Sequence, residues 1–408
     1  MAKFGQVQFI GYAISTKPAF CAVDDGGDDT GNRKYYLGDE CDERDLEARL
    51  DLLAKVVARA QGAFARDRDV FKVLVIPEFF FRGASGAYRE KDAAARLKAG
   101  VTDLLEKFGP DIDLALWGTA LLVERDMDLN APEIKSASAL GDEYLHIYEA
   151  CRDFRTSLGK ETPSLRDILF HLDELEDPVT RLVEPALDPL SAVMEQMLRG
   201  CDRRAPIMVS NKCLITLGRE RCLAVQKQFK SRVDFVLNYY HDQGRSKRNE
   251  NCYLQTFVNY PPIAATTTER KGHDADQYGI FEWQGLKIGV EICLDHIRKR
   301  LVQVENSLDL QIIPSCGAEV TPGCIAARAG GYVFNCDGDY TLRDAQNAAD
   351  AHTQLYRVEK AGNPDKGVAA QLGKRIEPAR ILSVEDSGVE SLFPKGAVEL
   401  HVYGPVEL

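Results

Sequence analysis

Short apolar runs, each closed by turn-forming residues, recur along the chain. They are VQFIGYAI (7–14), KVLVIPEFF (72–80), DLALWGTALLV (113–123), APIMVSNKCLITL (205–217), ERCLAVQKQ (220–228), LKIGVEIC (286–293), LQIIPS (310–315) and GYVFNCDG (331–338). Their length and their β-branched and aromatic content predict strands. Two stretches have a different period. In LEARLDLLAKVVARAQGAFA (46–65) apolar residues recur at three and four positions, and YREKDAAARLKAGVTDLLEKFG (88–109) repeats the pattern and closes on a glycine, so both predict helices. Strands apolar on both faces, alternating with such helices, predict a layered α/β domain.

The rhythm breaks between 126 and 204, where the pattern predicts three helices and no strand. Thr162-Pro163 and Asp188-Pro189 each supply an N-cap followed by proline, and the last helix ends at Gly200. The expected organisation is one α/β domain made of 1–125 and 205–408, with a helical insertion at 126–204. A polar stretch at 241–275, containing Pro261-Pro262, predicts a long surface loop.

Composition narrows the function classes. With 408 residues and a formal net charge of -12, no general polyanion-binding face is expected, so no nucleic-acid partner. The opening MAKFGQVQFIGYA lacks a charged-then-apolar leader, and no apolar run approaches the roughly 18 residues of a membrane span. The expectation is a soluble, cytoplasmic protein without a membrane partner. Eleven cysteines, from Cys21 to Cys336, lie mostly inside apolar runs, which is a reduced-compartment pattern. No two have C-x-x-C spacing and the seven histidines do not cluster with them, so no metal site and no cofactor is expected.

Three apolar strands end in a reactive side chain. VLVIPEFFFRG (73–83) leads through Pro77 into Glu78, CLAVQKQF (222–229) delivers Lys227, and LKIGVEICLDH (286–296) delivers Cys293. A carboxylate in a poorly solvated place has its pKa raised, as a general base working near neutrality requires. A helix beginning directly after Cys293 would favour a thiolate. Singly, each residue has a plainer reading as a core thiol, a helix cap or a solvated lysine. Jointly they supply an acid, an amine and a thiol at three strand ends.

At these residues the chain resembles the nitrilase, or carbon–nitrogen hydrolase, superfamily. LVIPEFFFRG is similar to the family's Pro-Glu stretch. KIGVEICLDH followed by LDLQIIPSCG is similar to its nucleophile strand and the next strand ending in Pro-Ser, and LALWGTALLV to its strand with a central glycine and hydroxyl residue. The resemblance covers about 1–125 and 205–340. It implies a four-layer αββα sandwich and a Glu78, Lys227, Cys293 triad, with the Leu294 backbone N–H as an oxyanion donor. It also implies hydrolysis of a small amide-type substrate at a non-peptide C–N bond through a Cys thioester, and a homo-oligomer. The lysine hairpin leaves Lys230 as a second candidate. Asp234 stands nearest the family's second glutamate, and Ile297 stands where an arginine is usual.

Phe79, Phe80, Asp234, Asp295 and His296 are candidates for a substrate shell. Adjacency in sequence does not make His296 a dyad partner of Cys293. The same triad would serve acyl transfer to an amine, and a catalytically silent scaffold binding a protein through the insertion is the third reading.

Overall fold

In the computed structural model the described residues are 4–17, 19–22, 32–39, 41–84, 86–88, 92–109, 111–126, 207–228, 256–257, 279–339, 353–384, 388–394 and 398–408. The chain divides into two units. The first comprises Met1–Val123, Ser210–Leu254 and Ile263–Leu408, and the second Glu124–Val209 with Gln255–Pro262.

The first unit is built on two sheets. One runs in the order β15 (Arg380–Ser383), β16 (Val398–Val402), β1 (Gln6–Ile14), β4 (Val70–Ile76), β5 (Leu114–Asp126), β6 (Ile207–Leu217), β7 (Arg221–Gln226), and β17 (Val406–Glu407) pairs with the start of β1. The β1, β4 and β5 strands are parallel, joined by helices α1 (Asp42–Gln61) and α2 (Ala93–Phe108). β6 and β7 form an antiparallel hairpin. The other sheet runs β14 (Gln371–Leu372), β13 (Gln354–Lys360), β12 (Ala327–Asp337), β11 (Leu308–Ser315), β10 (Leu286–Val290), β9 (Ile280–Trp283), with β10, β11 and β12 parallel. β2 (Ala19–Ala22) and β3 (Asn32–Tyr35) form a separate antiparallel ribbon.

β4 shows why its run is apolar on both faces. Successive side chains of a strand point to opposite sides. Leu74 and Ile76 join one core with Leu52, Leu53 and Val56 of α1 and Leu97 and Val101 of α2. Val73 and Val75 join a second core with Ile288, Val290, Leu310, Ile312 and Phe334 of the facing sheet. Every residue of β4 is buried. The hairpin from β9 to β10 turns on Gln284 and Gly285, both with positive φ (54° and 82°), the geometry that suits a two-residue connection.

Three layers are thus described, helices on sheet on sheet. On the outer face of the second sheet, Ile313, Val333 and Val358 are covered by Ile325, Ala327 and Ala370, and a long helix is absent there among the described residues. The helix expected after Cys293 is the single turn α3 (Leu294–Ile297); α4 (Val389–Leu392) is equally short. The helices expected over 126–204 and the loop at 241–275 lie outside the described residues. Within the second unit, β8 (Thr256–Phe257) runs parallel to Ile207 and Met208, the part of β6 that belongs to that unit. Among the described residues no helix is long and apolar enough to cross a membrane.

Candidate active site

β4 stops at Ile76, and the chain turns through Pro77 and Glu78 into Phe79, whose φ is 62°. That conformation is strained for a bulky residue, and neighbouring strands hold it. Phe79 N–H donates to Thr119 Oγ1 at 2.9 Å, and Phe81 N–H to the Thr119 carbonyl at 3.0 Å. Gly118 makes this approach possible, since a Cβ there would meet the Pro77 carbonyl oxygen at 2.6 Å. From α1, Arg49 donates to the Phe80 carbonyl at 2.7 Å. Glu78 N–H donates to the Ser315 carbonyl at 3.2 Å, which fixes the turn against the end of β11.

Lys227 is the first residue beyond β7. The hairpin register pairs Lys212 with Gln226, and Lys227 N–H donates to the Asn211 carbonyl at 2.9 Å, extending the ladder by one step. Lys227 Nζ lies 2.8 Å from Glu78 Oε1, and both side chains are 0% exposed. Asn211 Nδ2 donates to the same oxygen at 2.9 Å. The lysine ammonium also lies 5.5 Å from the centroid of the Phe79 ring, whose face carries the Arg82 guanidinium at 3.7 Å. Lys230 and Asp234 lie outside the described residues.

Cys293 follows β10 after two linking residues and caps α3 with φ 49° and ψ -107°. A non-glycine residue held there is strained, and such strain collects at functional positions. Its N–H donates to the Pro314 carbonyl at 3.1 Å, and its own carbonyl accepts from His296 N–H at 2.9 Å. The side chain sits at the edge of the inter-sheet core with the residue 5% exposed. A one-turn helix contributes little dipole, so the thiolate support expected from a long helix is small. Among the described residues nothing accepts from the Leu294 N–H, the first of that turn.

Two sets of bonds bring these residues to one rim. Cys293 and Glu78 hang from the consecutive carbonyls of Pro314 and Ser315. Asp295, two residues beyond the thiol, accepts the N–H of Gln228, the residue after Lys227, on both carboxylate oxygens, at 3.0 and 3.1 Å. The Glu78 charge reaches neighbouring thiols. Burial pushes Cys213 far up, with Glu78 adding to it; burial, then Asp337 and Glu78, does the same to Cys316.

The remaining sequence candidates have structural partners. Asp295 also accepts from Arg300 Nη1 at 3.1 Å. His296 Nδ1 lies 2.7 Å from Glu291 Oε1 and its Nε2 accepts from Thr321 N–H at 3.0 Å. Both ring nitrogens are therefore engaged in a buried network that Gln311 completes, donating to Glu291 at 2.6 Å. Phe80 packs in the helix-side core, its ring 4.9 Å from Phe393 and 6.1 Å from Tyr12; Phe79 is the aromatic residue beside Lys227. Among the described residues no three His, Cys, Asp or Glu side chains gather as metal ligands would.

Asn211, Thr119, Glu291 and Gln311 escaped the sequence reading. The available signal was a polar residue inside an apolar run: a buried amide needs a hydrogen-bond partner, so Asn211 in IMVSNKCLITL and Gln311 in LQIIPS each imply one.

No protein-family model and no curated protein matches the chain. Solved structures similar to it include the following three. A glutamine-dependent NAD(+) synthetase from Cytophaga hutchinsonii aligns with 91% of the chain at 10% identity and a TM-score of 0.32, and the chain spans only 40% of the synthetase's length. A point mutant of the Nesterenkonia AN1 amidase from the nitrilase superfamily aligns with 82% of the chain, over 77% of the amidase, at 10% identity and a TM-score of 0.29. An amidase from Nesterenkonia sp. aligns with 91% of the chain, over 88% of its own length, at 11% identity and a TM-score of 0.28.

Proposed function

We propose that this chain is a thiol-dependent carbon–nitrogen hydrolase of the nitrilase superfamily, acting on a small amide-type substrate at a non-peptide C–N bond. The observation that carries the reading is the fully buried Glu78–Lys227 pair, at 2.8 Å. A paired acid and base withheld from solvent contribute little to stability for their desolvation cost, and such buried, paired titratable groups concentrate at sites of chemistry. The strained Cys293 turn and the anchoring of Cys293 and Glu78 to adjacent carbonyls support the third member.

In the proposed reaction Cys293 Sγ attacks the carbonyl carbon while Glu78 takes the thiol proton. The charge that develops on the carbonyl oxygen is stabilised by the Lys227 ammonium and the Leu294 N–H. Glu78 passes the proton to the nitrogen as the C–N bond breaks, because an amine leaves poorly unless protonated. A thioester and a free amine or ammonia result. Glu78 then removes a proton from water, the hydroxide attacks the thioester carbon, the C–S bond breaks, and the thiol regains the proton as the acid departs. Removing the Lys227 charge should cost on the order of 100-fold or more in rate.

The test is peptide mapping after brief treatment with limiting iodoacetamide near pH 7. Cys293 should be labelled first, and Glu78→Gln should suppress that labelling. Burial holds Cys213, Cys316 and Cys336 well above the ordinary thiol range and pushes Cys324 up to about 11, so these should stay unlabelled. A screen of small amides followed by ammonia or amine release then identifies substrates. Labelling of buried thiols with Cys293 untouched would overturn the reading.

A further inference from the structure

Glu78 Oε1 receives two donors, Lys227 Nζ at 2.8 Å and Asn211 Nδ2 at 2.9 Å. Asn211 is itself 0% exposed, and its carbonyl accepts the Lys227 N–H at 2.9 Å. One residue thus touches both members of the ion pair, the glutamate through its side chain and the lysine through its backbone. The β6–β7 register explains how. Lys212 lies opposite Gln226, so the next step of the ladder sets Asn211 opposite Lys227.

We propose that Asn211 is a positioning residue for Glu78. It holds the Glu78 carboxylate in place through the 2.9 Å amide bond, and it sets the pH below which Cys293 loses reactivity. This rests on the hydrolase reading above. A hydrogen bond donated to a carboxylate favours its charged form. Losing the amide makes Glu78 easier to protonate and less able to accept the thiol proton. An amide suits this place better than a second cation: it donates without charge, so it does not compete with Lys227 for the developing oxyanion. Three charged groups in one buried cluster would also cost more to desolvate.

The experiment measures the rate of Cys293 alkylation by iodoacetamide from pH 4.5 to 9 in the wild type, Asn211→Leu, Asn211→Asp and Glu78→Gln, with fold checked by circular dichroism. Asn211→Leu, similar in size without the donor, should move the acid midpoint of the rate profile up by about one pH unit. Asn211→Asp, nearly isosteric, sets a second carboxylate beside Oε1 and should move it further, since two adjacent carboxylates resist joint ionisation. It carries the test if the leucine variant does not fold. A midpoint unchanged in the folded variants, while Glu78→Gln still suppresses labelling, overturns the role of Asn211 alone. If Glu78→Gln leaves labelling unaffected, the hydrolase reading fails, and this inference with it.

Discussion

Asp295 accepts the Gln228 backbone N–H on both carboxylate oxygens, at 3.0 and 3.1 Å, and so ties the turn that carries Cys293 to the strand end that carries Lys227. Arg300 donates to the same carboxylate at 3.1 Å, and both side chains are nearly inaccessible. A residue predicted as substrate shell because it follows the thiol is therefore a brace between two pieces of the site. Asp295→Ala leaves a buried guanidinium facing its former partner and should destabilise the fold by about 3–5 kcal/mol. Asp295→Asn keeps an acceptor for Gln228 and should cost about 1–2 kcal/mol. Urea unfolding with a two-state fit measures both. Equal, small losses would mean that the brace bears no strain.

The Glu78–Lys227 pair should be strongly coupled. Lys227→Met leaves a carboxylate buried without its cation, and Glu78→Gln leaves the ammonium without its anion. Each single change should cost about 3–5 kcal/mol. The double variant should cost less than the sum by about 1–3 kcal/mol, because neither orphaned charge remains. A double-mutant cycle on denaturant midpoints decides it; additive losses would show that the ion pair, although 0% exposed on both sides, contributes no interaction energy.

Much of this arrangement was legible in the chain, for physical reasons that differ by element. α1 and α2 were readable because a helix packed on a sheet must present apolar residues at three and four, as Leu52, Leu53, Val56 and Val57 do. The ends of β4 and β10 were readable because strands buried on both faces leave an abrupt change to Glu78 and Cys293. β13, buried at Leu355 and Val358 but not at the positions between them, was missed because half its residues face away from any core. The short β14, β15 and β17 offer too few residues for a period. The helix expected directly after Cys293 is shorter than its role there required: the chain leaves helical geometry at Arg298 and turns back through Leu301 and Val302 into a small core with Leu308 and Ala326. The role of Asn211 depends on cross-strand register, which no local pattern encodes.

His296 should matter for stability and not for reactivity. Its Nδ1 faces Glu291 at 2.7 Å and its Nε2 accepts from Thr321 N–H at 3.0 Å, so the ring joins the end of β10 to the chain that covers β11. His296→Ala leaves a buried carboxylate and a backbone N–H without this partner and should cost at least about 2 kcal/mol. The folded variant should still label at Cys293 at close to the wild-type rate. A suppression comparable to that of Glu78→Gln would revive a Cys–His dyad.

Acid should loosen the start of β10. Partial burial pushes the Glu305 carboxyl up, but hydrogen bonds from Lys287, Ser307 and the Asn306 N–H outweigh it and hold the pKa at about 2, against an ordinary 4.5. Lys287, at the start of β10, is the ion-pair partner. The folded pKa is depressed, so the stability this group adds is fully present above pH 4.5 and is lost as pH falls from there toward 2. The Lys287 side chain is 33% exposed, and screening by solvent limits the gain to about 1 kcal/mol. Lys287→Met should therefore lower stability by about that amount at pH 7, and the difference from wild type should narrow steadily below pH 4.5. Urea unfolding at pH 7, 4 and 3 checks it. A difference that stays constant across this range would assign the effect to packing of the lysine stem along the strand instead of to the charge on Glu305.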